Sequence, residues 1–197
     1  NSSYVFNQCN KLTTISLPKL TKIIGSYCFM SDDLLETAEL PSLTEVGASC
    51  FNKCVNLANI NIPLLTTAGG SAFYQCSSLT NVVLPNLLAI SESMFFECTS
   101  LEKADFTMVT SIDDLAFCDC HNLKTLILRN PNMVTLNNTD ALMDTKIAPS
   151  GSNADIAYGT GYIYVPQVVI NTYKADTNWG VYASRFRAIE LYPNICG

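Results

Sequence analysis

The residues with the most chemistry to offer lie together at Cys118-Asp119-Cys120-His121. Two thiols, a carboxylate and the chain's single histidine fall at consecutive positions, and Cys98 precedes them by 22 residues. Thiolate and imidazole are zinc ligands, but structural zinc sites draw their thiolates from C-x-x-C pairs, and C-x-C-H is a different spacing. In an extended segment Cys118 and Cys120 point to the same side, which is the one feature favouring a metal. A Cys120–His121 nucleophilic pair would need a shaped pocket and a third group to orient the base, and nothing marks either. His121 therefore reads as a polar turn residue. Neither G-x-S-x-G nor H-E-x-x-H occurs. Gly159-Thr160-Gly161 is a lone G-x-G that precedes a strand rather than a helix, so it forms no phosphate cradle and reads as a flexible loop. Asp32 has only Asp33 beside it, too few oxygens for calcium; it either accepts turn amides or marks a coil bulged outward. No catalytic residue, metal or cofactor is assigned.

The elements that would position these groups belong to a repeat. Phenylalanine falls at Phe6, Phe29, Phe51, Phe73, Phe95 and Phe117, in steps of 23 and then 22 residues. Three residues after each stands a cysteine (Cys9, Cys54, Cys76, Cys98, Cys120), with Asp32 in the second unit. Six residues after each stands a leucine: Leu12, Leu35, Leu57, Leu79, Leu101 and Leu123. A period in the twenties means a solenoid, in which one unit cannot bury its own apolar side and stacked units bury it jointly. The nine cysteines could suggest disulfides. Their repeat phase argues instead for a reduced ladder of small buried side chains.

Each unit carries a short strand with alternating faces. Ile15 and Leu17, Ile60 and Ile62, Val82 and Leu84, and Leu126 and Leu128 point inward, with Ala38 and Leu40, and Ala104 and Phe106, in the same slots. Pro18, Pro41, Pro63 and Pro85 end the strands. Leu20, Leu43, Leu65, Leu87 and Val109 follow, then Ile24, Val46, Ala68, Ile90 and Ile112. Gly25, Gly47 and Gly69 offer tight bends, and one extra residue between Leu20 and Ile24 accounts for the single longer step. Parallel strands at ~4.8 Å make six coils about 29 Å wide.

The outward strand positions form two rows. One is Thr14, Thr37, Asn59, Asn81, Lys103 and Thr125; the other is Ser16, Glu39, Asn61, Val83, Asp105 and Ile127, with Val83 and Ile127 as apolar islands. Solenoids bind through such extended faces. Glu39, Asn59, Asn61, Asn81, Val83, Lys103, Asp105, Thr125 and Ile127 are therefore the candidate ligand-binding residues, against the plainer reading of a solvated surface.

Composition narrows the partner. Of 197 residues 48% are hydrophobic and only 14% charged, and the net charge of -6 has no basic cluster to offset it. Nucleic acid, whose binding needs Lys and Arg on phosphates, is excluded as a partner. No apolar run is long enough to insert into a membrane as a helix. No signal peptide is evident; residues 1–5 run directly into the tail of a repeat, as in a fragment of a longer polypeptide.

Leu79-x-x-Val82-x-Leu84, with Leu87 in place of the usual Asn or Cys and AF-x-x-C upstream, resembles the BspA-like (Treponema pallidum) class of leucine-rich repeats over residues 4–136. The segment GYIYVP…YK…NW…YA…I resembles the close of such arrays in surface proteins of gut Firmicutes. The expected fold is an α/β solenoid: a right-handed, parallel-sheet leucine-rich repeat array of about six coils over residues 1–136, with an α+β C-terminal cap over 137–197. In the cap, a short helix is expected at 141–144 after Asn138-Thr139-Asp140, a mobile loop at 148–161, a strand at 161–166, helices at 167–175 and 178–187, and a closing strand at 189–192. Trp179, Tyr173 and Phe186 form the lid, while Tyr4 to Phe6 is an uncovered end. The resemblance implies a non-enzymatic, secreted or cell-surface module adhering to a protein or glycan of the host or of neighbouring cells. The alternative is a stalk with no ligand of its own.

Overall fold

Anchors at fixed phase turn this chain once every 22 or 23 residues, and the computed structural model, which describes residues 3–9 and 11–196, shows the turns stacked in register. Asn1, Ser2 and Asn10 of the expected repeat module and Gly197 of the expected cap lie outside the described residues. Numbered in chain order, the leading strand of each coil is β1 (Thr14–Ser16), β3 (Thr37–Glu39), β5 (Asn59–Asn61), β7 (Asn81–Val83), β9 (Lys103–Phe106) and β11 (Thr125–Leu128). A second set follows each turn: β2 (Lys22–Ile23), β4 (Glu45–Val46), β6 (Thr67–Ala68), β8 (Ala89–Ile90), β10 (Ser111–Ile112) and β12 (Thr135–Leu136). All pairings are parallel. On the leading face the ladder runs β1-β3-β5, stops, and resumes as β7-β9-β11.

Inside, the six phenylalanines make one column. Successive rings from Phe6 to Phe117 stack at 5.1, 5.3, 5.6, 5.5 and 5.3 Å, tilted by no more than 10°. The widest step, Phe51–Phe73, falls at the coil junction where β5 and β7 part. The thiols make a second column. Cys54, Cys76, Cys98 and Cys120 each donate to the phenylalanine carbonyl one coil back, at 3.0–3.2 Å, and none of the nine cysteines is joined in a disulfide. Burial pushes the Cys54 thiol up to about 12 and Cys76 and Cys120 well above the ordinary thiol range. They therefore pack as neutral, weakly donating side chains.

The turns differ from expectation in two ways. Ile23, not Ile24, takes the inward slot opposite Val46, while Ile24 is 53% exposed. The extra residue thus follows Ile23 and is pushed into solvent, where it disturbs no column. The glycines do not make the bend either. A β-carbon on Gly47 would run into the Gly25 carbonyl, and one on Gly69 into the Ala48 backbone, so these positions are small because neighbouring coils touch there. The chain bends at residues with left-handed backbone: Tyr27, Ser49, Ser71 and Ser93 (φ 52–60°), then Ser31, Lys53, Gln75, Glu97 and Asp119 (φ 54–62°). Their amides point along the stack; those of Lys53 and Gln75 reach Tyr74 and Phe96 carbonyls at 2.8 Å.

The cap meets the last coil as a further coil would. β13 (Tyr162–Val165) pairs with β11, and β14 (Phe186–Ala188) pairs with β13. Where no ladder continues, side chains stand in for it. Trp179 Nε1 donates to the Val134 carbonyl at 2.7 Å, Tyr173 Oη accepts from the Val134 amide at 2.8 Å, and Tyr182 Oη donates to the Thr139 carbonyl at 2.7 Å. Backbone groups that would otherwise be buried without partners are thereby satisfied. Trp179, Tyr173 and Phe186 are buried and pack edge-on or tilted within 5.8 Å, forming the lid.

Helix α1 (Ile170–Ala175) follows a 3-10 turn at Gln167–Val169, and a second 3-10 stretch, Trp179–Arg185, stops short of the expected Arg187. The closing strand is Phe186–Ala188; Ile189–Leu191 is a 3-10 turn leading into α2 (Pro193–Cys196). Thr139–Leu142 is a 3-10 turn capped by the Asn138 side chain, slightly ahead of the helix expected at 141–144. Segment 148–161 is irregular but anchored: Ile156 is buried and Tyr158 hydrogen-bonds to Asp144. At the opposite end Phe6, Leu17 and Ile24 are exposed around a recess of about 330 Å³, so no described residue covers the first coil's apolar side.

Candidate functional site

The two outward rows lie in register as expected: Thr14, Thr37 and Asn59 oppose one another, as do Asn81, Lys103 and Thr125. Ser16, Glu39 and Asn61, then Val83, Asp105 and Ile127, form the second row. The cap extends both, with Tyr162 beside Thr125 and Tyr164 beside Ile127. What differs is access, and the face divides into an open half and a covered half.

The open half spans β3, β5 and β7. Asn59, Asn61 and Asn81 are exposed, Glu39 is half-buried and Val83 is 61% exposed. Asn61 Nδ2 donates to Glu39 Oε2 at 2.7 Å, and Asn81 Nδ2 to Thr80 Oγ1 at 3.1 Å. These groups line a polar recess of about 300 Å³ that straddles the unpaired β5–β7 junction. Ile60, Phe73 and Val82 line a narrow apolar crevice in the same place. Ile60 is correspondingly only half-buried, although Ala38, Val82, Ala104 and Leu126 in its column are buried. Amides, a carboxylate and an apolar rim at a break in the ladder offer hydrogen bonds in both senses beside a place for an apolar group.

The covered half corrects the sequence reading. Ile127 is fully buried, not an apolar island in solvent, because Tyr164 and Cys196 close over it with Tyr162, Ile189 and Tyr192 alongside. Asp105 is buried too, held by Arg129 through Nε at 2.8 Å and Nη2 at 2.7 Å. Arg129 Nη2 also donates to the Cys196 carbonyl, and Lys103 Nζ to the Ile195 carbonyl at 2.8 Å. The hydrogen bonds to Asp105 hold the Arg129 guanidinium above its usual range. Thr125 is half-buried behind Tyr162. Arg129 and the residues from Ile189 to Cys196 were missed by sequence reasoning. Arg129 stands just past a strand in a non-repeating insertion, and the return of the tail across the face is a contact between distant segments that leaves no periodic trace.

The thiol–imidazole cluster is pulled apart. Asp119 has φ 61°, so the segment is not extended and Cys118 and Cys120 do not share a direction. Cys120 belongs to the internal column and donates to the Phe95 carbonyl at 3.0 Å. Cys118 lies against Asp119 Oδ2 at 3.5 Å, and burial, then the Asp119 charge, pushes its thiol up to about 12. His121 Nε2 is 3.5 Å from Asp119 Oδ1. Among the described residues no group of His, Cys, Asp and Glu is arranged to hold a metal ion. Gly159 and Gly161 turn inward to the Ala148 and Lys146 carbonyls at 2.8 and 2.9 Å. Asp32 is fully buried in the thiol column; its Oδ1 accepts the Cys9 amide at 2.6 Å while Oδ2 has no partner. Burial pushes its carboxyl up from 3.8 to about 6.

A stack of parallel strands over a phenylalanine column, closed by an aromatic lid and presenting one broad face, is a leucine-rich repeat solenoid. Residues 2–139 match the BspA type leucine-rich repeat region in six copies, and the chain belongs to that family. Among solved structures it is similar to the T. pallidum leucine-rich repeat protein, at 29% identity and a TM-score of 0.64 over 72% of this chain and 67% of that one. It shares its fold with a leucine-rich cell surface protein of Faecalibacterium prausnitzii, at 23% identity and a TM-score of 0.63. That match covers 83% of this chain but 41% of the Faecalibacterium chain. No curated protein matches the chain. No helix among the described residues is long and apolar enough to cross a membrane.

Proposed function

We propose that this chain is a non-enzymatic adhesion module of the cell surface or secreted space that holds a protein or glycan ligand on its leading strand face. In this reading residues 1–136 form the repeat module and 137–197 its cap. The observation that carries it is the polar recess over the β5–β7 break, where Asn59, Asn61, Asn81 and Glu39 converge on the part of the face the tail leaves open. Their side chains are uncharged or singly acidic, which suits hydroxyls and peptide amides rather than phosphates. Membership of the BspA-type family supports a binding role. The buried thiols of the internal column support it as well, because thiols held neutral by burial, such as Cys76 and Cys120, are poor nucleophiles.

The test is binding of the whole chain to a panel of immobilised extracellular-matrix proteins and glycans. Saturable binding to at least one member is expected. The triple variant Asn59→Ala, Asn61→Ala, Asn81→Ala is expected to lose that binding while melting within about 2 °C of the parent, since all three side chains are exposed. A triple variant that binds as well as its parent sinks the assignment to this recess. A panel without any binder leaves the stalk reading in its place.

A further inference from the structure

We infer that the covered half of the leading face is a second binding site, a groove for a short turn of peptide, which the chain's own residues 189–196 occupy in cis. It stands on the contacts of that segment alone and does not depend on the recess over β5 and β7.

The groove has its own small apolar floor. Ile127 and Tyr164 make it, and Cys196 of the occupying segment closes on them in a cluster separate from the main core, with Tyr192 edge-on to Tyr164 at 5.5 Å. Ile127 points to the outer side of the sheet, opposite to Leu126 and Leu128, so without the tail it would be an apolar patch on a polar row. Two cations flank the floor. Lys103 and Arg129 donate to the carbonyls of consecutive residues, Ile195 and Cys196, at the end of α2. Asp105 holds the Arg129 fork in place through two hydrogen bonds.

Capture of terminal carbonyls by cations is how a helical turn is generally held at its C-terminal end. Here the cations come from the sheet rather than from the turn itself. Both bonds go to main-chain oxygens, which every peptide has. The side-chain requirement is modest: one small apolar group over Ile127 and one ring beside Tyr164. The site therefore recognises a class, a short turn ending in free carbonyls with a small apolar and an aromatic residue. A foreign segment of that kind must displace the tail, whose tether gives it an effective concentration on the order of millimolar.

The probe is a synthetic peptide of residues 189–196 carrying C196S, tested first on the unaltered full chain. Cys196 is buried under the tail contacts, so its alkylation by iodoacetamide, mapped by mass spectrometry, reports release of the tail. Peptide at millimolar concentration is expected to raise that rate several-fold and saturably, with Cys120 in the main core unaffected. An unchanged Cys196 rate overturns the proposal. Direct binding of the labelled peptide gives a second reading on the full-length variant Tyr192→Ala, Cys196→Glu. This variant should bind at least about tenfold tighter than the parent, because its tail no longer competes. Adding Lys103→Ala should weaken that binding. Equal affinity for variant and parent, or no saturation on a folded variant, also overturns it. If the variant fails to fold, the alkylation result decides alone.

Discussion

Replacing Asp32 by cysteine should stabilise this protein at neutral pH and hardly at all in mild acid. In four other coils the residue at this phase is a thiol that donates to the phenylalanine carbonyl one coil back. The matching carbonyl for position 32 belongs to Phe6. An ionised carboxylate cannot donate to it, and Asp32 Oδ2 is left buried without a partner. The folded carboxyl keeps its proton up to about pH 6, whereas the unfolded one releases it near 3.8. Between those values folding takes up a proton, so the contribution of Asp32 is fully present below 3.8 and is lost as pH rises through about 6. The full difference corresponds to about 3 kcal/mol at most. Relaxation of the folded protein around the charge reduces this to about 1–2 kcal/mol.

Asp32→Cys removes that loss and restores the thiol donor. The amide of Cys9 forfeits Oδ1 but keeps the Phe6 carbonyl at 3.2 Å. Urea unfolding of parent and variant at several pH values is the assay, because the other carboxylates titrate in both chains and cancel in the difference. The stability gap should widen by about 1–2 kcal/mol between roughly pH 4 and pH 7.5, in favour of cysteine. A gap that is flat across this range, or a variant less stable than its parent at pH 7.5, refutes the assignment of Asp32 as a buried acid in the thiol column.

Two further outcomes follow from the same stack. Phe73→Ala removes a buried ring flanked on both sides and should cost about 3–5 kcal/mol in chemical denaturation, whereas Phe6→Ala, at the exposed end of the column, should cost about 1 kcal/mol or less. Equal costs would mean that the column does not share its burial between coils. Lys53, with φ 62°, should tolerate glycine within about 1 kcal/mol, while Lys53→Val should cost about 1–3 kcal/mol because a β-branched residue is strained in that backbone region. Matching melting temperatures for the two would show that the turn does not hold this conformation in solution.

Most of the repeat could be read from spacing, because a solenoid interior demands the same side chain in the same place each time. Phe, Cys, Leu and Pro at constant phase admit one stacking; the strand register confirms it on either side of the β5–β7 break, and the ring column carries it across. The places that escaped are those where the chain leaves the repeat. Ile23 and Ile24 are adjacent and equally apolar, so only the coil geometry decides which one turns in. The glycines look like bends because glycine is permissive there, but the bend is carried by Ser, Lys and Gln, whose side chains give no hint of a left-handed backbone. The strand after α1 begins at Phe186 rather than Ile189, because its register is set by β13 and not by any local pattern. The β5–β7 break and the fold-back of residues 189–196 are contacts between separate segments and were not legible at all.

That division bears on where recognition resides. Interior columns cannot vary without loss of packing, so they carry no information about a ligand. The outward rows are free to vary and do: Thr, Asn and Lys in one, Ser, Glu, Asn, Val, Asp and Ile in the other. In the second row Asp105 is buried under residues 189–196 and paired with the half-buried Arg129 just past β11. Ile127, Tyr164 and Cys196 form a cluster distinct from the phenylalanine column, so release of residues 189–196, as proposed above, should leave the coils beneath folded. The amides of the open half sit on strands whose backbones are each locked to a neighbouring coil on one side. On the two proposals made above, the recess and the groove under residues 189–196 are separate sites, and ligand binding at the first should leave the alkylation rate of Cys196 unchanged.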